Sequence, residues 1–180
     1  TGNRILSNSI FDNSALGIEL GRNSVTPNDE GDTDTGPNNY QNFPVLTPVA
    51  SNGGAVVEAT LNSTPSSSFT LDFFSNTDCD PTGYGEGKTP LGTASVTTDA
   101  SGNGTATASF STITGTILTA TATDAGGNTS EHSECAELTT LGVTPSPTTR
   151  SVTPGESATY TIAVAAQGGT FDETVDLSCS

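Results

Sequence analysis

The chain has no methionine and no tryptophan, a single histidine, His132, and only four lysines and arginines. Against those four stand twenty aspartates and glutamates, for a formal charge of −16. Such a chain lacks the basic footprint that phosphate backbones require, which argues against nucleic acid as a partner. Anionic membrane surfaces are disfavoured by the same repulsion. No run of about 18 apolar residues occurs, so no membrane span is expected. The three cysteines, Cys79, Cys135 and Cys179, form no C-x-x-C pair, and with one histidine they supply too few ligands for zinc. A disulfide plus one leftover thiol, in an oxidising extracellular setting, is the better reading.

Runs of leucine and alanine are also missing. Ser, Thr, Asn, Gly and Val dominate, which are strand and turn residues, so the fold class is all-β. The acidic excess favours solubility but repels itself in a compact state, and bound divalent cations would relieve that strain. Calcium is the natural candidate. The chain opens in mid-pattern with TGNRIL and lacks an initiating methionine, so it reads as part of a longer or processed protein.

From residue 44 onward, alternating stretches follow one another: PVLTPV (44–49), AVVEATLN (55–62), SFTLDFFS (68–75), LGTASVTTD (91–99), GTATASFS (104–111), TILTATATD (116–124) and SECAEL (133–138). Turn signals separate them, at NGG (52–54), STPSS (63–67), DASGNG (99–104) and DAGGN (124–128). Seven short strands so punctuated predict a two-sheet sandwich of immunoglobulin-like type. The predicted inward set is Val57, Leu61, Phe69, Leu71, Phe73, Val96, Phe110, Ile117 and Leu118, subject to the face inversion that a one-residue slip would cause.

Three resemblances sharpen this outline. GNRILSNSIFDNSALGIEL, with Asn3, Asn8 and Asn13 framing Ile5, Ile10 and Ile18, resembles one coil of a right-handed parallel β-helix. The alternative is an isolated β-arch packed onto the next domain. GPNNYQNFPVL, LNSTPSSSFTLDFFSNTDCDPTGYGEGKTPLG, VTTDASGNGTA and TATATDAGGNTSEHSEC resemble a bacterial immunoglobulin-like module that follows β-helix repeats in large secreted or surface proteins. SVTPGESATYTIAV resembles the opening of a second surface-type immunoglobulin-like domain. The expected organisation is a terminal β-helix rung (1–24), an acidic joint (25–42), an immunoglobulin-like sandwich (43–139), a Pro/Ser/Thr linker (140–150) and the start of a second sandwich (151–180). Cys79, after the third strand, and Cys135, in the last, are expected to pair. Cys179 is then an unpaired thiol or an external disulfide partner.

The sharpest chemical feature is the joint, NDEGDTDTGPNN (28–39). Asp29, Asp32 and Asp34, joined by Asn38, are the predicted metal ligands, because Gly31, Gly36 and Pro37 turn the chain and oxygens can converge on a hard cation. The order departs from an EF-hand loop, having neither its glycine nor its closing glutamate in place. The alternative is a solvated linker. The turns Asp99–Asn103 and Asp124–Asn128 want Asp, Asn and Gly for backbone reasons alone. GYGEG (83–87) lacks the lysine and following helix of a phosphate cradle and reads as an inter-strand excursion. His132, beside Ser130 and Ser133, reads as a surface residue, since strand neighbours point to opposite faces and cannot readily form a base and nucleophile. Sequons stand at Asn62, Asn103 and Asn128.

The expected function is that of a non-catalytic extracellular or cell-surface structural or adhesive module, stiffened by calcium. Its partners would be neighbouring modules or copies of itself. One alternative is a subunit of a self-assembling filament joined by strand addition. Another is an accessory module of a polysaccharide-active enzyme binding carbohydrate, with three tyrosines and no tryptophan to stack on sugars.

Overall fold

The computed structural model describes residues 1–21, 24–51 and 54–167. The fold is all-β, and its named strand pairs are antiparallel. Among the described residues no helix is long and apolar enough to cross a membrane. The chain divides into two compact units, Thr1–Leu138 and Thr139–Ser180.

In the first unit, β1 (Val45–Ser51), β2 (Gly54–Asn62) and β5 (Asn103–Phe110) make one sheet in the order β1-β2-β5. The strands β3 (Ser68–Asn76), β4 (Thr89–Thr97), β6 (Ile117–Asp124) and β7 (Ala136–Glu137) make another, ordered β4-β3-β6-β7. The two share one core. Val57, Leu61 and Ala108 contribute from the first sheet, and Leu71, Phe73 and Leu118 from the second. Register follows from alternation: Val57 lies opposite Ala108, and Leu71 is flanked by Ala94 and Ala122, so small residues face large ones across each pair. Of the predicted inward set, Ile117 is the exception. It is half-buried and outside the core cluster, because its neighbour Leu118 takes the inward position and successive side chains alternate faces. Phe110 packs against the core from its margin.

The two sheets differ in what covers their outer faces. Along β2 the outward residues Val56, Glu58 and Thr60 are exposed. Along β3 and β6 the outward residues Asp72, Phe74, Asn76, Thr119, Thr121 and Thr123 are all buried. The cover includes the N-terminal segment, the loop 77–88, whose Glu86 O accepts from Asn76 and Thr119, and the His132 ring, which packs on Phe74. The N-terminal segment bonds both to residues 128–133 and to β3: Ile5 N–H donates to Thr129 Oγ1, and Ser7 N–H to Asp72 Oδ2. The described residues of 1–24, expected to form a β-helix coil, contain no strand. Their one bridge is antiparallel, between Ile10 and Gly87, closed by two 2.9 Å hydrogen bonds.

In the second unit β8 (Thr140–Ser146) pairs with β9 (Thr161–Gln167), Val143 opposite Val164. The stretch expected as a linker, 140–150, thus supplies a strand, because its extended Thr/Val/Pro pattern suits an edge as well as a connector. Tyr160, Ile162 and Val164 are exposed, as is Val143. ETVDLSCS and Cys179 lie outside the described residues.

Candidate metal site

Three asparagines shape the joint, each bridging the backbone N–H and C=O of one residue distant in sequence. Asn28 donates its amide to Phe43 O and accepts from Phe43 N. Asn42 does the same for Asp29. Asn38, fully buried, does so for Asn3 and also donates to Thr129 O. Each side chain stands in for a strand partner where the backbone is too irregular to provide one. Asn38 sits in the short turn Pro37–Tyr40 at φ 45°, a left-handed conformation that asparagine tolerates.

This lacing fixes the acidic loop. Gly31 N–H donates to Asn62 Oδ1 at the end of β2. Asp32 Oδ1 accepts from Asn42 N at 3.1 Å, and its Oδ2 accepts from the Ser63 hydroxyl at 2.6 Å. Asp29 Oδ2 accepts from both Thr33 N and the Thr33 hydroxyl. One carboxylate oxygen from each of Asp29, Asp32 and Asp34 lies within 4.8 Å of the others. Oδ1 of Asp29 and Oδ1 of Asp34 are both shielded from solvent and have no hydrogen-bond partner.

Burial raises the carboxyl pKa of Asp32 above its ordinary value, opposed by the bonds from Ser63 and Asn42 and reinforced by the charges of Asp29 and Asp34. Asp34 is raised too, by burial and by Asp29. Three acidic groups so placed could hold a metal ion, since a cation would neutralise their repulsion and occupy the idle lone pairs. Asn38, predicted as the fourth ligand, is turned to other work. Its oxygen accepts from Asn3 N and its nitrogen donates twice, so it anchors the N-terminal segment instead.

Elsewhere, Cys79 and Cys135 are joined in a disulfide with Cα atoms 5.9 Å apart. Asp99 and Asp124 cap their own turns, accepting from Asn103 N and Asn128 N respectively. Asn128, a sequon residue, is buried and donates to Asp124.

His132, expected at the surface, is buried against Phe74, with ring centroids 5.1 Å apart. The reason lies in residues 128–135, which do not continue as a regular strand. Ser130 and Ser133 N–H groups donate to Ala122 O and Ala120 O, while their hydroxyls accept from Ala122 N and Ala120 N. Serine side chains thus complete the ladder beside β6, and the intervening Glu131 and His132 are enclosed. Glu131 accepts from Leu20 N and Thr26 N, each at 2.7 Å. Sequence periodicity carries no trace of this carboxylate's role. No protein-family model matches the chain, and no curated protein matches it significantly.

Proposed function

We propose that this chain is a structural module of an extracellular or cell-surface protein, in which calcium bound by Asp29, Asp32 and Asp34 stiffens the joint between the N-terminal segment and an immunoglobulin-like sandwich. The observation that carries the reading is the pair of solvent-shielded, unpartnered oxygens on Asp29 and Asp34 beside Asp32. The strand order β1-β2-β5 facing β4-β3-β6-β7 supports the immunoglobulin-like assignment. The disulfide supports an oxidising compartment.

The test is thermal unfolding of the full chain in 10 mM calcium and in chelator. Extracellular modules bind calcium with dissociation constants of about 10⁻⁴ to 10⁻³ M, so calcium should stabilise by about 1.4 to 2.7 kcal/mol. Asp34→Asn should abolish the gain; it is the cleaner variant because Asp32 also holds Asn42 and Ser63. Equal melting temperatures in calcium and chelator would return the loop to a plain linker.

A second reading, filament assembly by strand addition, is favoured by β8–β9, which exposes Val143, Ile162 and Val164. It predicts high-order species on a sizing column that vanish on Ile162→Lys.

A further inference from the structure

His132 is the only histidine in the chain, and both of its ring nitrogens are shielded from solvent without a hydrogen-bond partner. A buried imidazole normally finds a carbonyl, a carboxylate or a water, so an orphaned one calls for an explanation. Its surroundings show where it sits. Phe74 of β3 packs edge to face with it. Gly85 and Gly87 of the loop 77–88 cross its ring so closely that a Cβ at Gly87 would stand 2.5 Å from His132 Cε1 and 3.0 Å from Phe74 Cδ1. A Cβ on Gly17 would meet both Ile10 Cγ2, at 3.0 Å, and the imidazole, at 3.6 Å. The ring is therefore a spacer between the second sheet and the N-terminal segment, directly beneath the Ile10–Gly87 bridge.

We propose that His132 makes the attachment of the N-terminal segment acid-labile: protonation of the ring lifts residues 1–20 and the Gly85–Gly87 loop from the sheet while the core between the sheets stays closed. An imidazolium in this layer has nothing to bond and can reach water only by parting it.

The charged groups around it are otherwise engaged or distant. On β3, Asp72 accepts from Ser7 N and the Ser7 hydroxyl. In the glycine loop, Glu86 accepts from Asn13, and the Lys88 ammonium lies over the Phe11 ring. On its own segment Glu131 accepts from Leu20 and Thr26, and Glu134 is exposed. The N-terminal segment carries Arg4, Asp12 and Glu19, all exposed.

Burial alone lowers the imidazole pKa from 6.5 to about 4. A depressed pKa means that the attached state prefers the neutral ring. Attachment is thus complete above the ordinary histidine range and weakens as pH falls towards 4, the opening constant growing about 100-fold between pH 7 and pH 4. Asp72 acts with the opposite sign, since burial raises its pKa and its protonation relieves a buried charge as pH falls.

The experiment is amide hydrogen exchange on the full chain from pH 7 to pH 4, corrected for intrinsic rates, with the His132 ring resonances followed in parallel. We expect protection at Ile5, Ile10 and Gly87 to fall about 100-fold, while Val57 and Ala108 in the first sheet hold theirs. His132→Phe should flatten the pH dependence, with His132→Leu as a second variant should Phe not fit. A ring titrating near 6.5 with the segment still protected would overturn the proposal. So would a parallel loss in the first sheet, or a loss persisting in both variants, which would assign the effect to carboxylates.

Discussion

The two sheets of the first unit are built from similar alternating strands, yet one works as an ordinary amphipathic surface and the other does not. β2 buries Val57, Ala59 and Leu61 and leaves Val56, Glu58 and Thr60 to solvent. β3 and β6 bury Leu71, Phe73, Leu118 and Ala120 in the same core, but bury their polar faces as well. The lesson is that threonine, serine and asparagine on an outer face do not by themselves mean water. Here they meet another layer of chain, held by side-chain-to-backbone bonds as well as by apolar contacts such as Phe74 against His132. Such a layer is stable only while its polar groups are satisfied.

The largest test of this contrast is covalent. The Cys79–Cys135 bridge spans 56 positions and ties the loop after β3 to the segment beside β6, both on the covered side. In the chain-entropy account, closing such a loop restrains the unfolded state by about 4 kcal/mol. Cys79→Ser with Cys135→Ser should lower stability by about that amount in denaturant titrations, with the exchange of residues 128–135 rising first. A loss confined to the first sheet would break the distinction.

Next in size is the seam itself. Glu131→Ala strips the acceptor from Leu20 N and Thr26 N, one buried and one partly buried bond to a carboxylate, and should cost about 3 kcal/mol. Glu58→Ala, on the exposed face of β2, should change stability by less than about 0.5 kcal/mol. Comparable losses at both positions in urea unfolding would show that the two outer faces are alike after all.

A smaller effect is expected at the acidic loop, and its sign depends on pH. Asp32 and Asp34 have raised pKa values, so without metal their contribution is present in acid and is lost as pH rises through those values. A cation reverses this by favouring the ionised forms. The calcium-induced gain in melting temperature should therefore be largest at pH 7 and shrink towards pH 4, where protons compete for the same oxygens. A gain that is flat across that range would place the ion elsewhere.

Much of the architecture is legible in the residues. Alternation and Gly/Asn/Asp turns locate β1 to β6 to within a few positions, because those strands need only local pattern and one shared core. The acidic loop is legible for the same reason, since its three aspartates are neighbours in sequence. Asn38, Glu131 and His132 are not. Asn38 reaches Asn3, and Glu131 reaches Leu20, across separations that leave no periodic signal. The ladder completed by Ser130 and Ser133 breaks the strand period that would have assigned faces to Glu131 and His132. A linker-like composition hid β8, because extended backbone suits both roles.

The finest discrimination concerns Thr121, on the outer face of β6. Its hydroxyl is buried without a partner, whereas Thr119 donates to Glu86 O and the hydroxyls of Thr123 and Thr129 are 2.9 Å apart. A buried hydroxyl without a bond carries a desolvation penalty, and removing it in an isosteric side chain is neutral or favourable. Thr121→Val should therefore stabilise the protein by up to about 1 kcal/mol, while Thr119→Val removes one of the two donors to Glu86 O, the other being Asn76 Nδ2, and an acceptor from Asn76 itself, and should destabilise by a similar amount. On the first sheet, Thr60→Val faces solvent and should do neither. Three identical substitutions with three different signs would establish that the second sheet's outer face is read bond by bond. If all three behaved alike in equilibrium unfolding, the layer over β6 would be open to water, and the polar face would be a surface after all.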